Sequence, residues 1–300
     1  MRGENMDFNT AEELLGLCKN ENKTIAEIMK IRESTEGEMP LSEVEARMKK
    51  SLEIMRHSAH EPLKKSVKSI GGMIGGEAEK LEKRRAAGKS ICGGVLSKAL
   101  IYSQAVLEVN ASMGVIVAAP TAGSSGVVPA VLFSLEEEFD LSDETVLDGL
   151  FAAGGVGYLM MKNASVSGAE AGCQAEVGAA SAMAAAAAVQ MMGGTPEQCL
   201  DAAAIAIGNM LGLVCDPIAG LVEAPCQSRN ASGAANALTS AETALSGIKS
   251  AVPFSEMVEA MYRVGRRMPA ELRETALGGC AATPTGCKLK ESILGCSGCK

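Results

Sequence analysis

The sequence predicts a mostly α-helical protein whose helices pack closely through alanine and glycine. Hydrophobic residues make up 47% of the 300 positions, which supplies ample material for a core. Aromatic residues contribute only 3%, and the chain has 33 glycines and 17 methionines, so small and aliphatic side chains must form that core. Long runs of alternating apolar and polar residues, which would indicate β-strands, do not occur.

Four capping-box patterns predict where helices begin. A capping box pairs Ser or Thr with Glu or Gln three residues later, and each side chain binds a backbone N–H that the helix leaves free. The pairs are Thr10 with Glu13, Thr24 with Glu27, Ser42 with Glu45, and Thr195 with Gln198. Apolar spacing between Gly-bearing breaks predicts helices over 147–161, 176–192, 196–213, 230–245 and 254–264. The Gly pairs within 71–76 predict a loop or a very tight contact.

Charged residues are unevenly distributed along the chain. Residues 1–90 contain 33 of them, whereas residues 151–240 contain eight. The first part is therefore predicted to form solvated helices and the later part to lie in the interior. We predict one domain over 1–300, with a charged helical part over 1–90 and a Cys-rich tail over 278–300.

Composition and charge also exclude several classes of protein. The net charge of −8 argues against nucleic-acid binding, which needs basic patches. The first residues lack an apolar signal core, so a cytoplasmic location is predicted. The uncharged stretches over 111–135 and 177–196 contain prolines or many Ala and Gly residues, so they are interpreted as buried segments rather than membrane spans. In a reducing compartment, the ten cysteines predict no disulfide framework.

Residues 120–126, with the sequence PTAGSSG, form a turn of small residues between two apolar runs. The backbone N–H groups of such a turn can bind an anion, and the hydroxyl groups of Thr121, Ser124 and Ser125 can add donors for a carboxylate. A purely structural loop is the simpler interpretation of the spacing alone.

Three cysteines, Cys173, Cys215 and Cys226, each lie at a break marked by Gly or Pro. Their separations of 42 and 11 residues match neither a zinc ribbon nor a clustered ferredoxin motif. On spacing alone, buried thiols are therefore favoured over metal ligands. Four more cysteines occupy the tail and fit a redox pair, extra ligands or a frayed end; they are Cys280, Cys287, Cys296 and Cys299.

Three longer runs resemble the iron–sulfur L-serine dehydratases, and most closely their α (catalytic) subunit. The runs are APTAGSSGVVPA over 119–130, NASVSGAEAGCQAEVG over 163–178 and GLVCDPIAGLVEAPCQSRNA over 212–231. The resemblance extends over about 90–285, whereas the first 60 residues carry little of it. It implies an all-helical catalytic domain that converts L-serine to pyruvate and ammonia.

The resemblance implies that Cys173, Cys215 and Cys226 hold a [4Fe–4S] cluster. Three thiolates leave one iron open, which can act as a Lewis acid on the substrate hydroxyl. The resemblance further implies that the turn binds the substrate carboxylate. A second group of residues, just before Cys173, can make further polar contacts with the substrate. The substrate-binding candidates are therefore Thr121, Ser124, Ser125 and Gly126, followed by Asn163, Ser165 and Ser167. A separate β (regulatory) subunit is implied as partner, because single-chain members carry an additional domain.

The general base is not assigned, and chemistry alone gives the candidates His57, His60, Lys98 and Glu170. In some single-chain members, a C-terminal cysteine fills the open iron position without substrate. Cys287 lies at about the matching distance here, and Cys299 is nearer the end of the chain. Which tail cysteine has this role is left open.

Three other functions remain as alternatives. An L-cysteine desulfidase of related fold would use the same open iron on a thiol, and a substrate profile would distinguish it. A pyridoxal-phosphate dehydratase with Lys98 as its Schiff-base lysine would show the absorbance of that cofactor. A non-catalytic helical protein would keep its stability after iron is removed.

Overall fold

The computed structural model describes residues 6–295, which form thirteen α-helices joined by loops and short 3-10 turns. The helices are α1 (Ala11–Glu21), α2 (Ile25–Glu36), α3 (Leu41–Lys64), α4 (Glu77–Ala86), α5 (Gly93–Ala111), α6 (Val127–Phe139), α7 (Asp143–Asn163), α8 (Gly168–Ala171), α9 (Cys173–Met191), α10 (Pro196–Met210), α11 (Cys226–Leu245), α12 (Phe254–Arg267) and α13 (Pro284–Leu294). Residues 6–295 contain no strand, and their one isolated β-bridge joins Cys215 to Arg273. The mostly α fold class is confirmed.

Helix α9 is the centre of the fold. It packs against α6, α7, α10 and α11, and all of its residues are buried except Glu176 and Gln190. Nine of its nineteen residues are alanine, which combines the highest helix propensity with a side chain short enough for close helix contacts. A helix that is apolar on every side is expected in the interior. The predicted small-residue packing is therefore confirmed at α9.

The capping boxes are confirmed at three of the four predicted positions. Thr10, Thr24 and Thr195 each cap a helix with both reciprocal hydrogen bonds in place. The prediction at Ser42 is wrong, because α3 begins one residue earlier and Ser42 lies inside its first turn. Pro40 is the N-cap residue there, and its carbonyl already accepts the helical hydrogen bond from the amide of Val44 at 3.2 Å.

The two uncharged stretches lie within the helical fold. Residues 177–196 belong mainly to α9, and residues 111–135 run from the end of α5 through a turn into α6. Across residues 6–295, no helix has the length and apolar character needed to cross a membrane. The buried interpretation is wrong for one part, since Met113, Gly114, Val115 and Ala118 are exposed. These residues belong to an irregular segment that follows α5.

Two glycine substitutions are expected to change stability in opposite directions. A methyl group on Gly265 in α12 would overlap Ala171, including its backbone, whereas a methyl group on Gly154 in α7 has no neighbour within 4 Å. Gly265→Ala should therefore lower the free energy of unfolding by about 1–3 kcal/mol through overpacking. Gly154→Ala should raise it by about 0.5–1 kcal/mol through helix propensity. Urea denaturation of both variants checks this, and a destabilised Gly154→Ala would contradict it.

Candidate metal centre

Cys173, Cys215 and Cys226 come from three different elements and are buried, with exposed fractions of 3%, 3% and 8%. Cys173 is the first residue of α9, where Gly172 precedes it with a positive φ of 75°. Cys215 lies on the loop after α10, and Cys226 is the first residue of α11. Because the two helices begin beside the Cys215 loop, the three thiols lie near one another.

Neighbouring groups and burial shift the pKa of each thiol. Interaction with the Cys215 thiol, assisted by the positive charge of Arg229, lowers the pKa of Cys173. The same interaction and burial raise the pKa of Cys215. Burial, followed by the negative charges of Cys173 and Glu176, raises the pKa of Cys226 to about 12. A metal ion would favour the thiolate form of each, since metal binding releases the thiol proton.

Glu176 connects the cysteines to the turn that precedes α6. Its Oε1 atom accepts a hydrogen bond of 2.9 Å from the hydroxyl of Thr121, and its Oε2 atom lies 3.7 Å from the Sγ atom of Cys215. Burial is the main reason why the pKa of Glu176 is raised. Ligand atoms of Glu176, Cys215 and Glu274 all lie within 4.8 Å of one another. The structure thus contains a group of donors that can hold a metal.

The turn itself is anchored by Asn230 of α11. The Asn230 side chain accepts from the amide of Gly126 at 3.0 Å and donates to the carbonyls of Gly123 and Cys226 at 2.8 and 2.9 Å. Ser124, Ser125 and Gly126 are buried, and the Ser125 hydroxyl donates to the carbonyl of Ala122. Of the predicted substrate contacts, Thr121 therefore reaches Glu176, while Ser125 and Gly126 are engaged inside the turn.

The segment after α12 is joined to the Cys215 loop by main-chain hydrogen bonds. The amide of Cys215 donates to the carbonyl of Leu272 at 2.8 Å, and the amide of Glu274 donates to the carbonyl of Cys215 at 2.7 Å. Asp216 extends this connection, since its Oδ2 atom accepts from the amide of Cys280 at 2.6 Å. This segment therefore forms one wall of the centre.

A buried ion pair supports the same loop. The Nη1 atom of Arg229 lies 2.6 Å from the Oδ1 atom of Asp216 and donates to the carbonyl of Val214 at 2.8 Å. Although burial alone favours the neutral acid, hydrogen bonds from Cys280 and Arg229 lower the pKa of Asp216. Arg229 is thus a fixed cation whose charge acts on Cys173 and Cys226.

The second group of predicted substrate contacts, Asn163, Ser165 and Ser167, lies in two different places in the structure. Asn163 donates to the carbonyls of Asn9 and Leu159, so it binds the N-terminal segment. Ser165 accepts from the amide of Ser167, which directly precedes Gly168. A Cβ atom on Gly168 would lie 3.1 Å from the Sγ atom of Cys215, which places the Ser167 end beside the centre.

The candidate bases have their contacts elsewhere. His60 and Lys98 both pair with Glu137 of α6, at 3.0 and 3.4 Å, and His57 borders a separate cavity of about 440 Å³ along α3. The side chain of Glu170 is exposed on α8. Within residues 6–295, none of the hydrogen bonds or ion pairs of these four side chains reaches Cys173, Cys215 or Cys226.

The tail cysteines are only partly described. Cys287 lies in α13, and its Sγ atom is 3.8 Å from the carbonyl oxygen of Ala281. Cys280 is closer to the centre through Asp216. Cys296 and Cys299 lie outside the described residues, so the predicted role of Cys299 stays a prediction.

Glu137 is expected to make stability depend on pH in the acid range. Burial favours its neutral form, but hydrogen bonds from His60 and Tyr102 and the charge of Lys98 lower the pKa of Glu137 from 4.5 to about 2. The stabilisation is therefore complete above pH 4.5 and is lost as the pH falls to about 2. Glu137→Gln should be less stable than the wild type at pH 6, with the difference shrinking towards pH 3. Thermal unfolding checks this; a constant difference would contradict it.

Several residues of the centre were missed by the sequence analysis, namely Glu176, Asp216, Glu223, Arg229 and Asn230. Glu223 is 2% exposed and accepts hydrogen bonds from the Ser69 hydroxyl and the amide of Gly71, both at 2.6 Å, and from the amide of Met73 at 3.0 Å. Four of these five residues belong to the eight charged residues of 151–240. The few charged residues in this otherwise apolar region could therefore have indicated residues of the centre.

Known proteins resemble this chain over nearly its whole length. The family described as "Serine dehydratase alpha chain" matches residues 20–281. The "Probable L-serine dehydratase, alpha chain" of Bacillus subtilis is 47% identical over 288 residues, covering 96% of both chains. The "L-serine dehydratase, alpha chain" of Peptoniphilus asaccharolyticus is 46% identical over 96% of this chain and 98% of that one. The "L-serine dehydratase" of Helicobacter pylori strain J99 is 38% identical over 92% of this chain but only 62% of its own length. The chain therefore belongs to the serine dehydratase alpha chain family.

Proposed function

We propose that this chain is the catalytic alpha subunit of an iron–sulfur L-serine dehydratase, which converts L-serine to pyruvate and ammonia in the cytoplasm together with a β subunit. The names of its relatives support the substrate and the partner. The observation that carries the proposal is the position of three buried cysteines beside Glu176 and the turn at Thr121.

The residues of the centre fit a [4Fe–4S] cluster. Thiolates are the soft ligands that iron–sulfur clusters require, and Cys173, Cys215 and Cys226 supply three of them. Arg229 places a buried positive charge beside these ligands, which offsets part of their negative charge. When bound, the cluster supplies an open iron that acts as a Lewis acid on the serine hydroxyl.

The turn is suited to bind the substrate carboxylate through its backbone. Ser124 and Ser125 direct their amides to carbonyls inside the turn, and Gly126 directs its amide to Asn230. The amides of Ala122 and Gly123 donate to no group within residues 6–295. Two adjacent free amides at the start of a helical turn form a recognition site for an anion. We assign the substrate carboxylate to these two amides.

Thr121 and Glu176 position this turn against α9. The Thr121 hydroxyl donates to the Oε1 atom of Glu176, which fixes the turn relative to Cys173 on the same helix. The Oε2 atom of Glu176 faces Cys215 and is a carboxylate oxygen able to accept a proton beside the proposed position of the substrate. The absence of a side chain at Gly123 leaves room between the turn and Glu176, since a Cβ atom there would lie 3.4 Å from Oε1.

Anaerobic purification with and without the β subunit tests the proposal. About four irons and four sulfides per chain, with a broad visible absorbance bleached by air, are expected. Pyruvate should form from L-serine, and faster than from L-cysteine, which would separate the dehydratase from a desulfidase. A chain that binds no iron after anaerobic reconstitution would contradict the cluster. If the chain instead shows the absorbance of pyridoxal phosphate and stays active after iron is removed, it is a pyridoxal-phosphate enzyme.

A further inference from the structure

Three strongly exposed apolar side chains lie on two neighbouring segments of the chain. Ile70, Met113 and Val115 have exposed fractions of 68%, 78% and 70%. The amide of Ile70 donates to the carbonyl of Ala111 at 2.9 Å, so the loop that bears Ile70 lies against the end of α5, just before Met113. We call Ile70, Met113 and Val115 the apolar rim. Contiguous exposed apolar residues of this kind indicate an interaction site.

The backbone next to the rim is unpaired. Residues 115–118, with the sequence VIVA, belong to neither a helix nor a strand, and their backbone groups make no hydrogen bond with any residue of 6–295. Three of the four residues are β-branched, which favours the strand conformation. A segment with free N–H and C=O groups and this composition is suited to pair with a strand of another chain.

Both parts of this surface are fixed to the centre. The free segment leads directly into the turn, where the amide of Ala119 donates to the carbonyl of Thr121 at 3.4 Å. The loop bearing Ile70 is held through Ser69, Gly71 and Met73 by Glu223, which lies three residues before Cys226. A chain bound here would therefore contact the segment that leads into the turn and the loop that Glu223 holds.

An apolar cavity continues the same surface. It has a volume of about 490 Å³ and begins beside Ala118 and Pro120. Five methionines contribute to its lining, namely Met29, Met39, Met48, Met161 and Met183. Methionine side chains adapt to varied shapes, so the cavity is suited to receive apolar side chains from a partner.

The comparisons indicate which partner this is. The chain matches 96% and 98% of two relatives named alpha chains, but only 62% of the single-chain relative from Helicobacter pylori. More than a third of that longer protein thus corresponds to nothing in the present sequence. A polypeptide equivalent to that remainder is the partner that an alpha chain requires.

We propose that the apolar rim and residues 115–118 form the surface on which the β subunit docks. In this complex, a strand of the β subunit pairs with residues 115–118, and its apolar side chains cover the rim and enter the methionine-lined cavity. The bound subunit would shield the mouth of the substrate site from water. This inference rests on the proposed function, because that function supplies the partner.

A charged double variant of the rim tests the surface. Met113→Glu combined with Val115→Glu introduces two charges at exposed positions, so the fold should be retained. The matched control is Ile248→Glu, which changes a 58% exposed apolar residue in the loop after α11. In sedimentation experiments with the purified β subunit, we expect Kd to rise about 100-fold for the double variant and to stay within about twofold for the control.

Hydrogen exchange tests the pairing of the backbone. Addition of the β subunit to the wild-type chain should slow exchange of the amides of residues 115–118, and Val117→Pro, which removes one donor, should weaken binding. Unchanged exchange in this segment, or an equal Kd for the double variant and the wild type, would overturn the proposal. A wild-type chain that sediments alone as a dimer, and that the double variant converts to a monomer, would assign the surface to a second copy instead.

The proposed function is tested separately by the iron content and pyruvate formation of the wild-type complex. Normal activity with a double variant that still binds the β subunit tightly would overturn only the docking surface. A double variant that binds the β subunit weakly would support the docking surface. If the wild-type complex at the same time held no iron and formed no pyruvate, the proposed function alone would be overturned.

Discussion

Replacement of Cys173, Cys215 or Cys226 by serine is expected to remove iron and activity together. In the proposed centre each residue supplies one of three thiolates, and an alcohol oxygen is a poor ligand for the iron of a cluster. Loss of one ligand from an already three-ligand site leaves the cluster too weakly held to survive purification. We expect an iron content near zero and pyruvate formation at least about 1,000-fold below the wild type, since the Lewis acid is lost with the cluster.

Cys199→Ser is the matched control for these variants. Cys199 is fully buried in α10, and burial raises the pKa of its thiol, but none of its described contacts reaches Glu176 or the turn. This variant should keep the full iron content even if its stability falls. Iron and acid-labile sulfide analysis, beside circular dichroism, checks the series. If one of the three variants keeps its full iron content, the cysteine replaced in that variant is not a ligand.

Arg229→Leu is expected to cause the largest loss of stability among single substitutions outside the cysteines. The guanidinium is the cation that faces Asp216, whose side chain is only 3% exposed. Removing it leaves a buried carboxylate without its counter-ion, which costs about 3–5 kcal/mol of unfolding free energy. Urea denaturation of the metal-free chain measures this loss without interference from the cluster.

Two further variants identify the cause of that loss. Arg263→Leu breaks an exposed ion pair with Glu259 and should change the unfolding free energy by no more than about 1 kcal/mol. Asp216→Asn combined with Arg229→Leu should recover part of the stability, because the uncompensated charge is gone. If Arg229→Leu and Arg263→Leu lowered the unfolding free energy equally, the buried pair with Asp216 would contribute no more to stability than the exposed pair.

Local chemistry explains why most of the fold was predictable. Thr10, Thr24 and Thr195 satisfy free amides within three residues of themselves, so each helix start is encoded where it occurs. Ser42 shows that such a local pattern can fail, because Pro40 is the N-cap residue and Ser42 already lies inside the helix. The exposure of Val115 and Ala118 was also missed, since an apolar composition does not distinguish a buried segment from an exposed one.

The site was predictable only in part, because its contacts join residues far apart in the chain. The cysteines were found by their positions at breaks and by resemblance. Asn230 and Glu223 could not be assigned this way, since their partners lie 104 and about 150 residues away. The bases suggested by chemistry, such as His60, found partners on α6 that no local pattern specified.

The bridge between Cys215 and the segment after α12 has a consequence for the order of assembly. The amide of Cys215 is satisfied by Leu272, and its carbonyl by Glu274, so the loop that bears the thiol is held by residues that are synthesised well after it. A nascent chain still lacking residues 270–280 lacks both backbone partners of Cys215 and the partner of the Oδ2 atom of Asp216. The Cys215 thiol is therefore expected to reach its final position only after residues 270–280 have left the ribosome.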